Sequence, residues 1–296
     1  MTIPITIVAG YLGAGKTTLI NQALDRALQN PGSSDHLAVL VNDFGSINID
    51  EALIREQHPD SQVVGLANGC VCCTIADDFS RTLATLPELG IQHVLLEASG
   101  VALPDKLRRQ CLLPGFHPSE TFVLVDMQNH QSHLGDKYVG RLAASQVEQA
   151  GQLVLSKAPA TPVSTLNLPD RPTWLAEDPA LIEALLKPAP EALPVPQTAK
   201  EATTDLAVLV TPLTAQVTEA QIRTALSELP AYVQRVKGFA RTPKGCVCVH
   251  RVGQQVTVSP SSPQEGGLVL FCPTEFRPAL TRHLDHVIQE LRAPSC

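Results

Sequence analysis

The chain has 296 residues, enough for one large domain or two moderate ones, and 44% of them are hydrophobic, so a sizeable core can be buried. Its net charge of -7 argues against a nucleic-acid surface, which normally needs clustered Lys and Arg. No apolar run approaches the ~18 residues of a membrane helix, and Met1-Thr2-Ile3-Pro4 lacks the basic start of a signal peptide, so a cytoplasmic protein is expected.

The first ~160 residues alternate apolar runs with helical patterns, the rhythm of an α/β fold. Ile3–Ala9 reads as a buried strand and Thr17–Gln29 as a helix, with Leu19, Ile20, Ala23, Leu24, Ala27 and Leu28 at helical spacing. Further strands are expected at Leu37–Val41, Val63–Leu66, His93–Glu97, Thr121–Asp126 and Gln152–Ser156. Such apolar runs suit a mostly parallel sheet flanked by helices. From about residue 158 to 204 prolines are frequent, and the segment reads as a connector with a short helix near Asp178–Leu186. Residues 205–296 then read as a smaller α+β domain. Its strands are Leu206–Val210, Tyr232–Phe239, Val247–Arg251, Gln255–Val258 and Leu268–Cys272, with helices at Thr218–Leu229 and Arg277–Leu291. The nucleotide-binding domain is expected to span 1–157.

Gly10-Tyr11-Leu12-Gly13-Ala14-Gly15-Lys16-Thr17 fits G-x-x-x-x-G-K-[ST] between a strand and a helix. Its glycines let backbone N–H groups curl around phosphate oxygens, and the helix N-terminus adds a favourable dipole. Lys16 is expected to reach the β- and γ-phosphates and Thr17 to bind Mg²⁺, with Thr18 following in the helix. The acidic partner is expected at Glu97, which ends the strand 93–97 and precedes Ala98-Ser99-Gly100. Gly100 would let backbone approach the γ-phosphate. Asp126, at the end of another strand, is the runner-up, and either carboxylate could instead cap a helix.

Of the eight cysteines, three cluster in Asn68-Gly69-Cys70-Val71-Cys72-Cys73. In a reducing compartment such thiols are ligands or reactive groups rather than disulfides. Three thiolates suit Zn²⁺ or another soft or borderline metal and leave a fourth position open for transfer. Buried apolar cysteines and a redox-active thiol are the other readings. Cys246, Cys248 and His250 alternate on one strand and so share a face, either as a second soft-metal site or, preferably, as core. His130 and His133, which follow Asp126, could also bind metal, but at a polar helix start they are expected to be solvated.

The run GYLGAGKTTL, then Asn42-Asp43-Phe44-Gly45, then GCVCC, then Glu97-Ala98-Ser99-Gly100, resembles the CobW-like family of P-loop GTPases over most of residues 3–157. Val236-Lys237-Gly238-Phe239 looks like the start of that family's C-terminal module. The resemblance implies a SIMIBI-type P-loop fold and GTP hydrolysis coupled to metal delivery. It implies that Cys70, Cys72 and Cys73 hold Zn²⁺, that Lys16 and Thr17 bind GTP and Mg²⁺, and that Asp43, where the family usually has Glu, responds to the γ-phosphate. The implied partners are nucleotide, metal ion and a client metalloprotein, and a homodimer is compatible with the family. Nucleic acid and membrane are not expected partners.

Two departures stand out. The family's guanine motif Asn-Lys-x-Asp reads Ser156-Lys157-Ala158-Pro159 here, which keeps the lysine but lacks the aspartate that accepts from guanine. There is also no long His-rich stretch, which argues against metal storage. The leading expectation is a GTP-hydrolysing metallochaperone with Lys16, Glu97 and Asp43 as its catalytic set. A metal-regulated interaction protein with little turnover and an ATP-using enzyme are the alternatives.

Overall fold

In the computed structural model, which describes residues 2–29, 36–41, 54, 62–65, 75–157, 166–189, 206–262 and 264–292, the chain forms two compact units. The first carries β1 (Ile3–Gly10), α1 (Lys16–Leu28), β2 (Leu37–Val41), β3 (Gln62–Gly65), α2 (Ile75–Thr85), β4 (His93–Glu97), α3 (Pro104–Gln110) and β5 (Phe116–Asp126). It continues through α4 (His130–Gly135), α5 (Gly140–Glu148), β6 (Gln152–Ser156), β7 (Thr173–Leu175) and α6 (Pro179–Leu186). The sheet order is β3-β2-β4-β1-β5-β6-β7, and every neighbouring pair is parallel.

Alternate residues of each strand feed two cores, which is why the strands read as unbroken apolar runs. Ile5, Ile7, Leu40, Val94 and Leu96 pack with Phe79 and Leu83 of α2, Leu107 of α3 and Val147 of α5. Val8, Val39, Leu95 and Leu124 pack on the other face with Leu19, Ile20, Ala23 and Leu24 of α1. Because all strands run the same way, the segments after β1, β2, β4, β5 and β6 leave at one edge of the sheet. Ligands of open α/β sheets bind at that edge.

Helices α2, α3 and α5 and strand β7 are additions to the sequence reading. Strand β5 begins five residues earlier than expected, because its first half contains His117, Pro118, Ser119 and Glu120 and a register shift opposite Ile5–Ile7. Within the proline-rich segment, β7 pairs with β6, and Trp174 Nε1 donates to Gln152 Oε1 at 2.6 Å. Asp178 caps α6 through Ala180 N at 2.8 Å, with Pro179 at its first turn. Leu181 and Leu185 of α6 are fully buried in the α1 core. The stretch 166–189 is therefore built into the first unit by apolar burial that a proline count does not reveal.

The second unit carries β8 (Leu206–Pro212), α7 (Glu219–Ser227), β9 (Arg235–Thr242), β10 (Gly245–Val252), β11 (Gln255–Ser261), β12 (Gly267–Pro273) and α8 (Arg277–Arg292). Its antiparallel sheet has the order β11-β10-β9-β12-β8. Ile222 and Leu226 of α7 and Leu280 and Leu284 of α8 cover Val236, Ala240, Val249, Leu268 and Leu270. Strand β9 starts three residues later than expected. Val233 N donates to Pro230 O in a turn at 3.0 Å, and Tyr232 stacks on Phe276 at 4.3 Å. At Gly238 a side chain would come within 2.2 Å of the Gly267 carbonyl, so the close β9–β12 approach requires glycine.

Candidate nucleotide and metal site

The loop between β1 and α1 has the backbone a phosphate cradle needs. Gly10, Gly13 and Gly15 have φ of 133°, 82° and 100°, the left-handed region that favours glycine. A Cβ on Gly10 would stand 2.5 Å from the Leu124 carbonyl of β5, so the loop lies tightly over the sheet edge. Gly15 precedes the first residue of α1, which starts at Lys16 with its N–H groups facing the loop. Ala14 N closes the turn on Tyr11 O at 3.1 Å. The buried Lys16 ammonium donates to Gly10 O at 2.8 Å and to Tyr11 O at 3.2 Å, which holds it over the loop.

On the β4 side, Thr17 Oγ1 donates to Glu97 Oε1 at 2.8 Å. Glu97 is only 2% exposed, at the last position of β4 and directly beside Val8 of β1 and Val41 of β2. This carboxylate ends its strand. Gly100 follows, and a Cβ there would lie 2.4 Å from Leu12 Cδ2 and 3.0 Å from Leu12 Cα. The glycine is thus needed to seat the 98–101 segment against the phosphate loop, with the Leu12 side chain buried beneath it. Gln146 of α5 fixes this segment. Its buried amide donates to Gly100 O at 3.2 Å and Ala102 O at 2.9 Å. Gln146 lies 46 residues from Gly100 and belongs to no motif; only a polar residue on the inward face of α5 hinted at it.

On the opposite side of the loop, Ser156 Oγ donates to Ala14 O at 2.7 Å and is within 3.3 Å of Val125 O. Ser156 therefore ties the end of β6 to the phosphate loop. Lys157, the one residue other than glycine with positive φ among those described, has φ 54°. Its Nζ donates to Asp126 Oδ2 at 2.6 Å. The same oxygen accepts from Asn129 Nδ2 at 2.9 Å, and Oδ1 accepts from the backbone N–H of Gln128 and Asn129 at 3.1 and 3.3 Å. Asp126 thus anchors the 126–129 turn and Lys157. Thr18 is exposed on α1, one residue beyond the Thr17–Glu97 contact.

The histidines after Asp126 are not solvated as expected. His130 is buried, and the ring of His133 packs edge-on against Tyr11 of the phosphate loop at 4.6 Å. Burial lowers the pKa of both, against the opposing pull of Asp126. Asp43 and Cys70, Cys72 and Cys73 lie outside the described residues. In the second unit Cys248 Sγ sits 3.2 Å from His250 Nε2, with Cys248 buried and Cys246 half-buried. Among the described residues no group of three His, Cys, Asp or Glu is placed to hold a metal. Also among them, no helix is long and apolar enough to cross a membrane.

Mg²⁺ fits this site by donor chemistry. The Thr17 hydroxyl and Glu97 carboxylate are hard oxygen donors 2.8 Å apart beside the phosphate loop, the kind Mg²⁺ takes together with phosphate oxygens.

The family described as "CobW/HypB/UreG, nucleotide-binding domain" matches residues 4–168. The zinc chaperone CobW of Sinorhizobium sp is 37% identical over 111 residues, 36% of this chain and 30% of that protein. The zinc chaperone YjiA of Escherichia coli K12 is 28% identical over 169 residues, 51% of each chain. The matched regions thus span about a third to a half of these relatives. Among solved structures, the Zn(II)-bound YjiA GTPase of E. coli aligns over 99% of this chain and 100% of its own, with 18% identity and a TM-score of 0.43.

Proposed function

The chain belongs to the CobW/HypB/UreG family of P-loop nucleotide-binding proteins, and from that premise we propose that it is a GTP-hydrolysing metallochaperone which takes up Zn²⁺ and passes it to a client metalloprotein. The observation that carries the reading is the Thr17–Glu97 hydrogen bond beside the buried Lys16. It brings a hydroxyl, a strand-end carboxylate and an ammonium to one end of a phosphate-binding loop.

In this reading the loop N–H groups and Lys16 hold the β- and γ-phosphates. Glu97, immobilised by Thr17 and by the rigid end of β4, stands at the γ-phosphate end and orients the attacking water. Gly100, seated on Leu12 and held by Gln146, brings backbone to the same end. Thr17 would hold Mg²⁺, which would supply positive charge against the phosphate oxygens. Water adds to the γ-phosphorus, the bond to the β-phosphate oxygen breaks, and GDP and inorganic phosphate leave. Zn²⁺ is the cargo, taken by the Cys70, Cys72 and Cys73 thiolates, which lie between β3 and β4 in the sequence. Asp43, two residues beyond β2 in sequence, is the proposed γ-phosphate sensor. The zinc-chaperone names of CobW and YjiA support this cargo.

The test is phosphate release from GTP by the wild type and by Lys16→Ala. The variant should be slower by about 100-fold or more; equal rates would sink the hydrolase reading. Cys70→Ser should weaken Zn²⁺ in a competition titration and leave GTP binding intact. Unchanged zinc affinity would remove the thiols from the proposal.

A further inference from the structure

We propose that the nucleotide site accepts purine nucleoside phosphates without selecting guanine, because Asp126, the one carboxylate at its base end among the described residues, is consumed in holding Lys157. This deepens the nucleotide-binding reading above and rests on it.

The sheet order sets the two ends of the site. β4, carrying Glu97, flanks β1 on one side; β5 and β6, carrying Asp126 and Ser156, lie on the other. With the γ-phosphate end at Thr17 and Glu97, the sugar and base of a nucleotide laid along the loop emerge toward β5 and β6. Ser156, bonded to Ala14 O, brings Lys157 to the loop's rim there. The Lys157 stem is partly exposed, with about a third of its side chain open, and its ammonium is fixed on Asp126. A fixed alkyl-ammonium side chain packs on any purine face, and such contacts are tolerant of base identity.

Reading guanine instead needs an acceptor for its N1–H and N2–H donors. A site built around such bonds discriminates strongly, because a wrong base leaves buried groups unpaired. Asp126 cannot serve. It is 3% exposed, and its two oxygens already accept four hydrogen bonds, from Gln128 N, Asn129 N, Asn129 Nδ2 and Lys157 Nζ. The sequence after Lys157, Ala-Pro-Ala-Thr-Pro-Val-Ser-Thr-Leu-Asn-Leu-Pro, contains no acidic residue before Asp170. A lost acceptor of this kind is worth roughly 5- to 150-fold in affinity.

The experiment is calorimetric titration of the full chain with GDP, IDP and ADP in Mg²⁺ buffer. IDP differs from GDP only by the N2 amine, so their ratio isolates edge reading. The three dissociation constants should agree within tenfold. A GDP preference above tenfold over IDP or over ADP would overturn the inference while leaving nucleotide binding in place. Failure of all three to bind would overturn the nucleotide reading itself, and this inference with it. Lys157→Ala should weaken all three by one common factor, about 3- to 30-fold; weakening of GDP alone would also contradict it.

Discussion

Thr17 and Glu97 meet because each is placed by rigid backbone, one in the first turn of α1 and the other at the last position of β4. Replacing Glu97 by Gln keeps the shape but removes the charge beside the phosphates. Steady-state GTP hydrolysis should fall about 10- to 100-fold, the range seen when a partner of a metal ligand is lost, while the fold is kept. A circular-dichroism melt unchanged from the wild type would separate this from unfolding. Gly10→Ala should do the opposite. A Cβ 2.5 Å from the Leu124 carbonyl, at φ 133°, has nowhere to go, and destabilisation of more than about 2 kcal/mol is expected in denaturant titration. Lys16, Thr17 and the loop glycines were legible in the sequence because they stand in one contiguous motif, and Glu97, 80 positions from Thr17, because it ends an apolar strand. Gln146 and the tether from Ser156 to Ala14 were not, because they act across 46 and 142 positions, and only the packed sheet brings those segments together.

Elements show the same division. Strands β1, β2, β4 and β6 were legible within a residue, since burial on both faces leaves long apolar runs. The short helix read at Asp178–Leu186 is α6, whereas β7 was hidden by the surrounding prolines and the start of β5 by polar residues and a register shift. One element contact has a pH signature. His93 of β4 shares a buried hydrogen bond of 2.9 Å with Thr6 of β1, and burial lowers its pKa from 6.5 to about 4. The unfolded chain then binds more protons than the folded chain between those values. Stability from this group is complete above about pH 6.5 and is lost as pH falls toward 4, by roughly 3 kcal/mol in all. Denaturant titrations at pH 7 and pH 4.5 should show a smaller pH dependence for His93→Gln than for the wild type; an equal dependence would remove His93 from the acid sensitivity. Packing of α6 on α1 is likewise testable. Leu185→Ala should cost about 2–5 kcal/mol, measured by chemical denaturation. Its surface companion, the Arg26–Glu183 pair at 2.7 Å, should contribute little.

For the molecule as a whole, the first unit supplies a nucleotide edge, and the second is an antiparallel sheet with two helices on one face. Arg251 shows how tightly that sheet is built. The side chain is fully buried, and its guanidinium donates to Val233 O at 2.9 Å and Leu229 O at 3.0 Å, holding the turn after α7. The family features were legible because they are contiguous motifs. The proposed base end was only half legible: the missing aspartate after Lys157 could be read, but not the hydrogen bond by which Asp126 holds Lys157. Zinc uptake and release by the proposed GTP-hydrolysing chaperone require a zinc affinity that differs between nucleotide states, and such coupling is reciprocal. It is tested most directly by a chelator-competition titration of Zn²⁺ in the presence of a non-hydrolysable GTP analogue and, separately, of GDP. The affinities should differ at least fivefold between the two states, with the difference lost in Lys16→Ala. Equal zinc affinities in both nucleotide states of the wild type would contradict it.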